Sequence, residues 1–196
     1  MQTNREIEYK TLLSLSEFDQ LGKRFSHVAP VLLNNHYFDT PDLKLRANKL
    51  SLRIRTFDDA AEMTLKIPQK VGNLEHNIAL TSEEANAILA TKTLPQNCIN
   101  IQNILELLKG YAIDLSAVRV LGSLTTTRRE YETSIGLMAL DKNEYSGRLD
   151  YELELEVADA RSGEKNFNYF LKDNQMEYRY ARSKVVRFLE SIGKMP

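Results

Sequence analysis

The chain has 196 residues, 42% hydrophobic and 27% charged, the composition of an ordinary folded globule long enough to bury a core rather than of a disordered chain. With 26 basic and 27 acidic residues the formal net charge is −1, so bulk electrostatics points to no nucleic-acid partner and the placement of charge carries the information. The single cysteine, Cys98, can form no internal disulfide and reads as an interior or half-buried thiol, which fits a reducing compartment. The opening residues form no basic-then-apolar leader, and no apolar run approaches the ~20 residues that cross a bilayer, so a cytoplasmic protein without a membrane partner is expected.

Alternating segments outnumber helical ones. Glu6-Ile7-Glu8-Tyr9-Lys10 opens a strand running over residues 7–15, with Glu6, Glu8 and Lys10 on one face and Ile7, Tyr9 and Thr11 on the other. Ser16 caps a helix with an acidic first turn, and Pro30 ends that region. Residues 31–39 read as a second strand. Thr40-Pro41-Asp42 turns into a short helical stretch at 42–47, and residues 49–57 and 62–68 make a hairpin through Asp58-Asp59. The middle is helical, 82–91 with Ser82 or Thr81 as cap and 99–109 ending at Gly110. Strands return at 118–127, 128–133, 137–141 and 149–157, and helices at 167–174 and 182–192 follow. No Gly/Ser/Pro-rich linker divides the chain, so one α+β domain over residues 1–196 is expected, in two β-rich halves around a helical middle.

Several strands put charge on one side only. Arg53 and Arg55 alternate with Leu52 and Ile54. Glu62, Thr64 and Lys66 alternate with Met63 and Leu65. Thr126, Arg128 and Glu130 share a face, and Glu152, Glu154 and Glu156 form a row backed by Leu153, Leu155 and Val157. An open antiparallel sheet would simply offer these faces to water. A closed barrel would turn them inward as a polar tunnel, where like-charge rows are tolerable only with a cation and a polyanion among them. Arginine forks match phosphate oxygens bidentately, lysines supply point charges, and clustered carboxylates suit a hard dication.

Glu6-Ile7-Glu8-Tyr9-Lys10 resembles the E-x-E-x-K signature of the CYTH superfamily, the triphosphate tunnel metalloenzymes, and further matches follow in order along the chain. Tyr37-Phe38-Asp39-Thr40 resembles the family's Y-F-D-T, Leu52-Arg53-Ile54-Arg55 its L-R-x-R, and Thr64-Leu65-Lys66 its T-x-K. Thr127-Arg128 and Leu140-Asp141 sit where the second half supplies a basic and an acidic residue, Glu154-Leu155-Glu156 resembles the later E-x-E strand, and Ser183-Lys184 the lysine near the C-terminus. The stretch 151–156 is most similar to a Bacillus-type branch whose members are labelled adenylate cyclases or triphosphatases.

The resemblance implies a closed antiparallel barrel of about eight strands with helices outside, and hydrolysis of a triphosphate-containing small molecule with Mg²⁺ or Mn²⁺. It implies Glu6, Glu8, Glu154 and Glu156 as metal ligands with Asp141 and Glu152 as helpers; whether Glu154 pairs with Glu152 or Glu156 stays open. Lys10, Arg53, Arg55, Lys66, Arg128 and Lys184 are the implied phosphate contacts, and Glu6, Glu8 and Lys10 the catalytic set. Arg182 could substitute for Lys184, and Arg129 alternates outward. The histidines His27, His36 and His76 show no metal spacing. A class IV-type adenylate cyclase and a non-catalytic triphosphate sensor are the competing functions. No self-complementary interface can be read, so a homodimer stays open.

Overall fold

The structure is a computed structural model that describes residues 1–195. The chain divides into two compact units, residues 1–5 with 34–123, and residues 6–33 with 124 onward. The architecture is α+β, with nine strands among the described residues rather than the eight expected. Two strands are gained and one is lost, the loss being the merger of the two expected over 118–133. The opening strand is interrupted at Ile7, giving β1 (Gln2–Glu6) and β2 (Glu8–Leu13). Residues 73–80, outside every expected element, form a full strand.

In the first unit, β3 (Val31–Asp39, entering from the other unit), β4 (Ser51–Phe57), β5 (Ala60–Pro68) and β6 (Asn73–Leu80) pair antiparallel in sequence order, with β1 beyond β6. The alternation that makes β6 a strand is Leu74, His76, Ile78 and Leu80, and the histidine among the aliphatics disguises it. The helices α2 (Lys44–Ala47), α3 (Ser82–Thr91) and α4 (Gln102–Gly110) contribute to one core, with Leu52, Ile54, Met63, Leu65 and Ile78 from the strands meeting Leu45, Ile88, Ile104, Leu105 and Leu108 from the helices. Of the two possible caps for α3, Thr81 serves, in a capping box with Glu84. Cys98 is half-buried against this core.

In the second unit, β7 (Arg119–Thr133, its first five residues in the other unit), β8 (Gly136–Tyr145), β9 (Arg148–Glu156) and β2 form a second antiparallel run in that order. The two strands expected at 118–133 are one continuous strand. Ser146 and Gly147 both take positive φ, 47° and 73°, the geometry of a two-residue hairpin turn, so β8 and β9 extend to meet it. Gly136 opens β8 at φ 142°, where a Cβ would run into the Glu156 carbonyl oxygen. The helices α1 (Leu15–Arg24) and α5 (Ala160–Asp173) cover one face, burying Leu21, Phe167 and Leu171 against Leu13, Met138, Leu140, Leu153 and Leu155. Helix α5 starts seven residues before the expected 167, because Asp159 accepts from the Ser162 N–H and caps it there. The last helix, α6, spans Lys184–Ser191.

Each large aliphatic side chain on these inner faces contributes about 1.5–3 kcal/mol by leaving water. A one-residue slip would exchange the apolar face for the charged one. Packing on one side therefore fixes the register of the charges on the other.

Helix α1 begins two residues earlier than Ser16 would place it. Ser14 is the N-cap, and a reciprocal box with Glu17 decides it: Glu17 N–H donates to Ser14 Oγ while Ser14 N–H donates to the Glu17 carboxylate at 2.7 Å. The same carboxylate accepts from Arg179 at 2.6 Å and from the Glu177 N–H at 3.3 Å, so it also anchors the segment that leads into α6. Burial alone would push the Glu17 carboxyl up, but the Ser14 bonds, Arg179 and the Glu177 N–H outweigh it and bring it down to about 2, from an ordinary 4.5. A carboxyl lowered on folding stabilises fully above its unfolded value, and the contribution fades as pH falls from about 4.5 toward about 2. Glu17→Ala is expected to lower stability by ~1–2 kcal/mol at pH 7. Urea titrations at pH 7 and pH 3 should show wild type and variant converging in acid; a constant gap would refute the assignment.

Candidate active site

The strand pairing builds one charged face in each unit. In the second unit Lys10 stands opposite Glu154, Glu154 opposite Ala139, Asp141 opposite Glu152, and Arg128 opposite Asp141. Cα partners in an antiparallel ladder share a face, so these side chains collect on the side away from α1 and α5. Carboxylate oxygens of Asp141, Glu152 and Glu154 lie within 4.8 Å of one another, the one such three-carboxylate group among the described residues. Asp141 and Glu152 are fully buried. Glu6, Glu8 and Glu156 are outside that group; Glu8 pairs with Lys10 at 2.5 Å, and Glu156 is exposed opposite Glu8. Of the two pairings left open by the sequence, Glu152 with Glu154 is the one the structure draws together.

Three cations neutralise the group. Arg128 forks onto Asp141, with Nε at 2.8 Å and Nη2 at 2.7 Å, and Nη2 also reaches Glu154 at 2.5 Å. Lys184 Nζ lies 2.9 Å from Asp141, 2.7 Å from Glu152 and 2.6 Å from Glu154. Arg187 donates to Glu152 at 2.6 Å and stands 3.4 Å from Asp150. Burial works against charge on Asp141 and Glu154, yet Arg128 and Lys184 outweigh it and hold both carboxyls low. For Glu152 burial wins, reinforced by Glu154, and its carboxyl is raised despite Lys184 and Arg187. Burial would lower Lys10 and Lys184, but the surrounding glutamates, with Asp141 for Lys184, raise both. One Glu152 oxygen, Oε1, is buried without a hydrogen-bond partner.

Arg187 went unnoticed at the sequence level. It follows Lys184 by one helical turn, the spacing that puts two side chains on one helix face, and that is the signal that could have found it. Asp150, Asn143 and Tyr145 were missed as well. Asp150 accepts from Tyr145 OH at 2.5 Å and from Asn143 at 3.0 Å, and Asn143 accepts from Thr126 at 2.8 Å, so a buried polar network extends the face beyond Glu152. The segment before α6 is tied to β2 through Leu12 N–H to the Arg179 carbonyl at 3.0 Å and Arg179 N–H to Thr11 Oγ1 at 2.8 Å. That tie aims α6, and with it Lys184 and Arg187, at the carboxylates. Arg182 pairs with Glu190 outside the cluster and does not stand in for Lys184. Arg129 points outward and donates to the Val28 carbonyl.

In the first unit Arg53 stands opposite Tyr37 and Thr64, Arg55 opposite Asn35 and Glu62, and Lys66 opposite Glu75. Arg55 Nε donates to Asn35 at 2.9 Å, and Glu62 lies 3.5 Å from Arg55 and 3.7 Å from Arg53. Lys66 pairs with Glu75 at 2.7 Å; burial would raise the Glu75 carboxyl, but Lys66 and Arg53 bring it down. Arg53 Nε and Thr64 Oγ1 are buried without hydrogen-bond partners. Both atoms can donate, and they stand on directly opposed strand partners. His36 and His76 stand opposite Ile54 and Leu65, on the apolar side of their strands, and burial lowers both.

The CYTH domain family matches residues 4–189. The Bacillus subtilis (strain 168) protein named "Putative triphosphatase YjbK" is 34% identical over 196 residues, 99% of each chain. The crystal structure of a Bacillus halodurans protein, named a putative adenylate cyclase, has TM-score 0.86 at 31% identity and covers 96% of this chain and 99% of that one. A Hippeastrum protein, named a putative adenylyl cyclase and described as having a dominant triphosphatase activity, has TM-score 0.76 at 24% identity, over 100% of this chain and 98% of that one; at that identity it speaks for the fold. With a family match over residues 4–189 and a relative 34% identical along its whole length, the chain belongs to the CYTH domain family.

Proposed function

We propose that this protein is a metal-dependent triphosphatase that cleaves the terminal phosphate from a linear triphosphate. The observation that carries the reading is the carboxylate group of Asp141, Glu152 and Glu154, with its unpartnered buried Glu152 oxygen, on a face otherwise furnished with arginine and lysine. The name of the Bacillus subtilis relative supports it. The closed tunnel that the family resemblance implies, and action of the whole chain as one domain, belong to this proposal.

The donor set fits a hard dication such as Mg²⁺ or Mn²⁺, because every ligand is a carboxylate oxygen and one of them is unsatisfied. Asp141, Glu152 and Glu154 would hold it, with Glu6, Glu8 and Glu156 completing or extending the set. When bound, such an ion neutralises charge developing on phosphate oxygens. The chain's own residues do the rest. Arg53, Arg55 and Lys66 in the first unit, and Lys10, Arg128 and Lys184 in the second, are the residues assigned to phosphate oxygens, the arginines as forks. Glu8, held by Lys10, orients a water toward the terminal phosphorus. The water oxygen bonds to the terminal phosphorus as its proton passes to the Glu8 carboxylate, the bond from that phosphorus to the bridging oxygen breaks, and the diphosphate portion departs with the electron pair, leaving orthophosphate as the second product. Most of the rate in such transfers comes from positioning and charge neutralisation.

The test is phosphate release from tripolyphosphate, ATP and thiamine triphosphate with Mg²⁺ or Mn²⁺, with cyclic AMP measured in parallel. Orthophosphate is expected, and none in excess chelator. Lys66→Ala and Arg55→Ala should weaken tripolyphosphate and ATP alike, by ~1.5–3 kcal/mol per charged hydrogen bond, since neither residue would read a base. Cyclic AMP formed without phosphate release would give the cyclase reading, which the Bacillus halodurans protein's name favours. Tight triphosphate binding without turnover under any metal would give the sensor.

A further inference from the structure

We propose that Lys184 is an internal counter-cation that holds the divalent-ion position of the Asp141–Glu152–Glu154 centre in the ion-free protein, and that it leaves this position when the ion binds. The inference rests on the metal-centre reading above and adds to it a competition inside the chain.

An ammonium has three N–H donors, and here three carboxylates receive it at 2.9, 2.7 and 2.6 Å. Arg128 meets Asp141 and Glu154, and Arg187 meets Glu152, but Lys184 bridges all three. A hard dication on the same oxygens would sit about 2.0–2.6 Å from each, in nearly the space the Nζ fills. Two positive centres cannot share that point. Lys184 is also the first residue of α6, where the helix dipole disfavours a cation. Its place there is held by the carboxylates and not by the helix. The four-carbon stem lets the ammonium swing while the helix stays put, because Arg187 N–H and Val186 N–H are bonded to the Ser183 carbonyl at 3.1 and 3.0 Å, and Arg187 remains on Glu152. Glu152 Oε1, buried and unpartnered, is a ligand oxygen that Lys184 leaves unused.

The displaced ammonium finds its next partner in the phosphate oxygens of the substrate. The ion and the triphosphate then bind cooperatively, since the anion stabilises the position Lys184 moves to. Free protein binds the dication weakly, and the exchange keeps the buried carboxylates compensated at every stage.

The experiment is Mn²⁺ binding to the whole chain, followed by electron paramagnetic resonance without substrate, for wild type, Lys184→Met and Lys184→Arg. Removing the competing ammonium should tighten Mn²⁺ about tenfold or more in Lys184→Met, whereas Lys184→Arg stays near wild type. A non-hydrolysable imido analogue of tripolyphosphate should tighten Mn²⁺ strongly in wild type and much less in Lys184→Met. Equal or weaker Mn²⁺ binding in Lys184→Met, with wild type binding normally, overturns the exchange and leaves the metal centre standing. Mn²⁺ binding in neither protein overturns the metal centre and the exchange with it. A second measurement uses wild type alone, in case Lys184→Met does not fold. Amine acylation at Lys184, read by mass spectrometry, should accelerate when Mg²⁺ is added without the anion. An unchanged rate at saturating Mg²⁺ overturns the proposal.

Discussion

Arg128→Leu is expected to destabilise the fold by about 3–5 kcal/mol, the range for breaking a buried ion pair by removing one partner. The arginine makes two bonds to Asp141, one to Glu154 at 2.5 Å and one to Glu130 at 3.1 Å, and Asp141 is fully buried. Leucine fills the space of the stem but leaves Asp141 and Glu154 dependent on Lys184, which is already shared with Glu152. Arg182→Leu supplies the contrast, because its pair with Glu190 is half exposed and an exposed pair is worth about 0–1 kcal/mol. Urea denaturation of both variants decides the matter. Losses of similar small size would show that the charged face is solvated and that its arginine does not compensate buried carboxylates.

Much of this face is legible before any coordinates, and hairpin geometry explains why. A two-residue turn fixes every Cα pair in the ladder that it closes. The turn at residues 134–135 sets Arg128 against Asp141, and the Ser146-Gly147 turn sets Asp141 against Glu152. Alternation then assigns each residue to a face, so the arginines, lysines and glutamates of β2, β4, β5, β7 and β9 fall where their period places them. The legibility ends where contact depends on elements remote in sequence. Lys184 and Glu154 are separated by 30 residues and meet because α6 is aimed by Arg179 on Thr11 and Glu17, which no local pattern announces. Hence a residue read as a phosphate contact proves to sit among carboxylates. Arg187 and the Thr126–Asn143–Asp150–Tyr145 network escaped for a related reason: one stands in an apolar-looking helix, the others among ordinary strand residues, and only burial gives them a role. Capping supplied a smaller discrepancy. Ser14 and Ser16 both suit an N-cap, and the choice falls to the one whose box closes on Glu17.

Glu154→Gln is expected to separate catalysis from stability. The amide keeps the volume of the side chain, and its carbonyl oxygen can still accept from Lys184 or Arg128, which now hold Glu154 at 2.6 and 2.5 Å. The fold should therefore lose less than in Arg128→Leu, where buried Asp141 loses its fork and Glu154 loses a bond as well. The chemistry should lose more, because one of the three negative charges that a hard dication needs is gone, along with the geometry of its oxygen. We expect metal-dependent phosphate release to fall by ~10²-fold or more, the scale on which removal of a transition-state stabilising group acts. Glu156→Gln provides the comparison, since Glu156 is exposed and lies outside the three-carboxylate group. Its loss should be at least about tenfold smaller, because a ligand outside the ion's inner set changes its field and not its coordination. Phosphate release at saturating Mn²⁺, set beside urea denaturation of the same proteins, reads both quantities. A severe loss in Glu156→Gln with near-normal turnover in Glu154→Gln would move the centre toward Glu8 and Glu156, the strand partners at the other end of β2, and would detach Asp141 and Glu152 from the reaction.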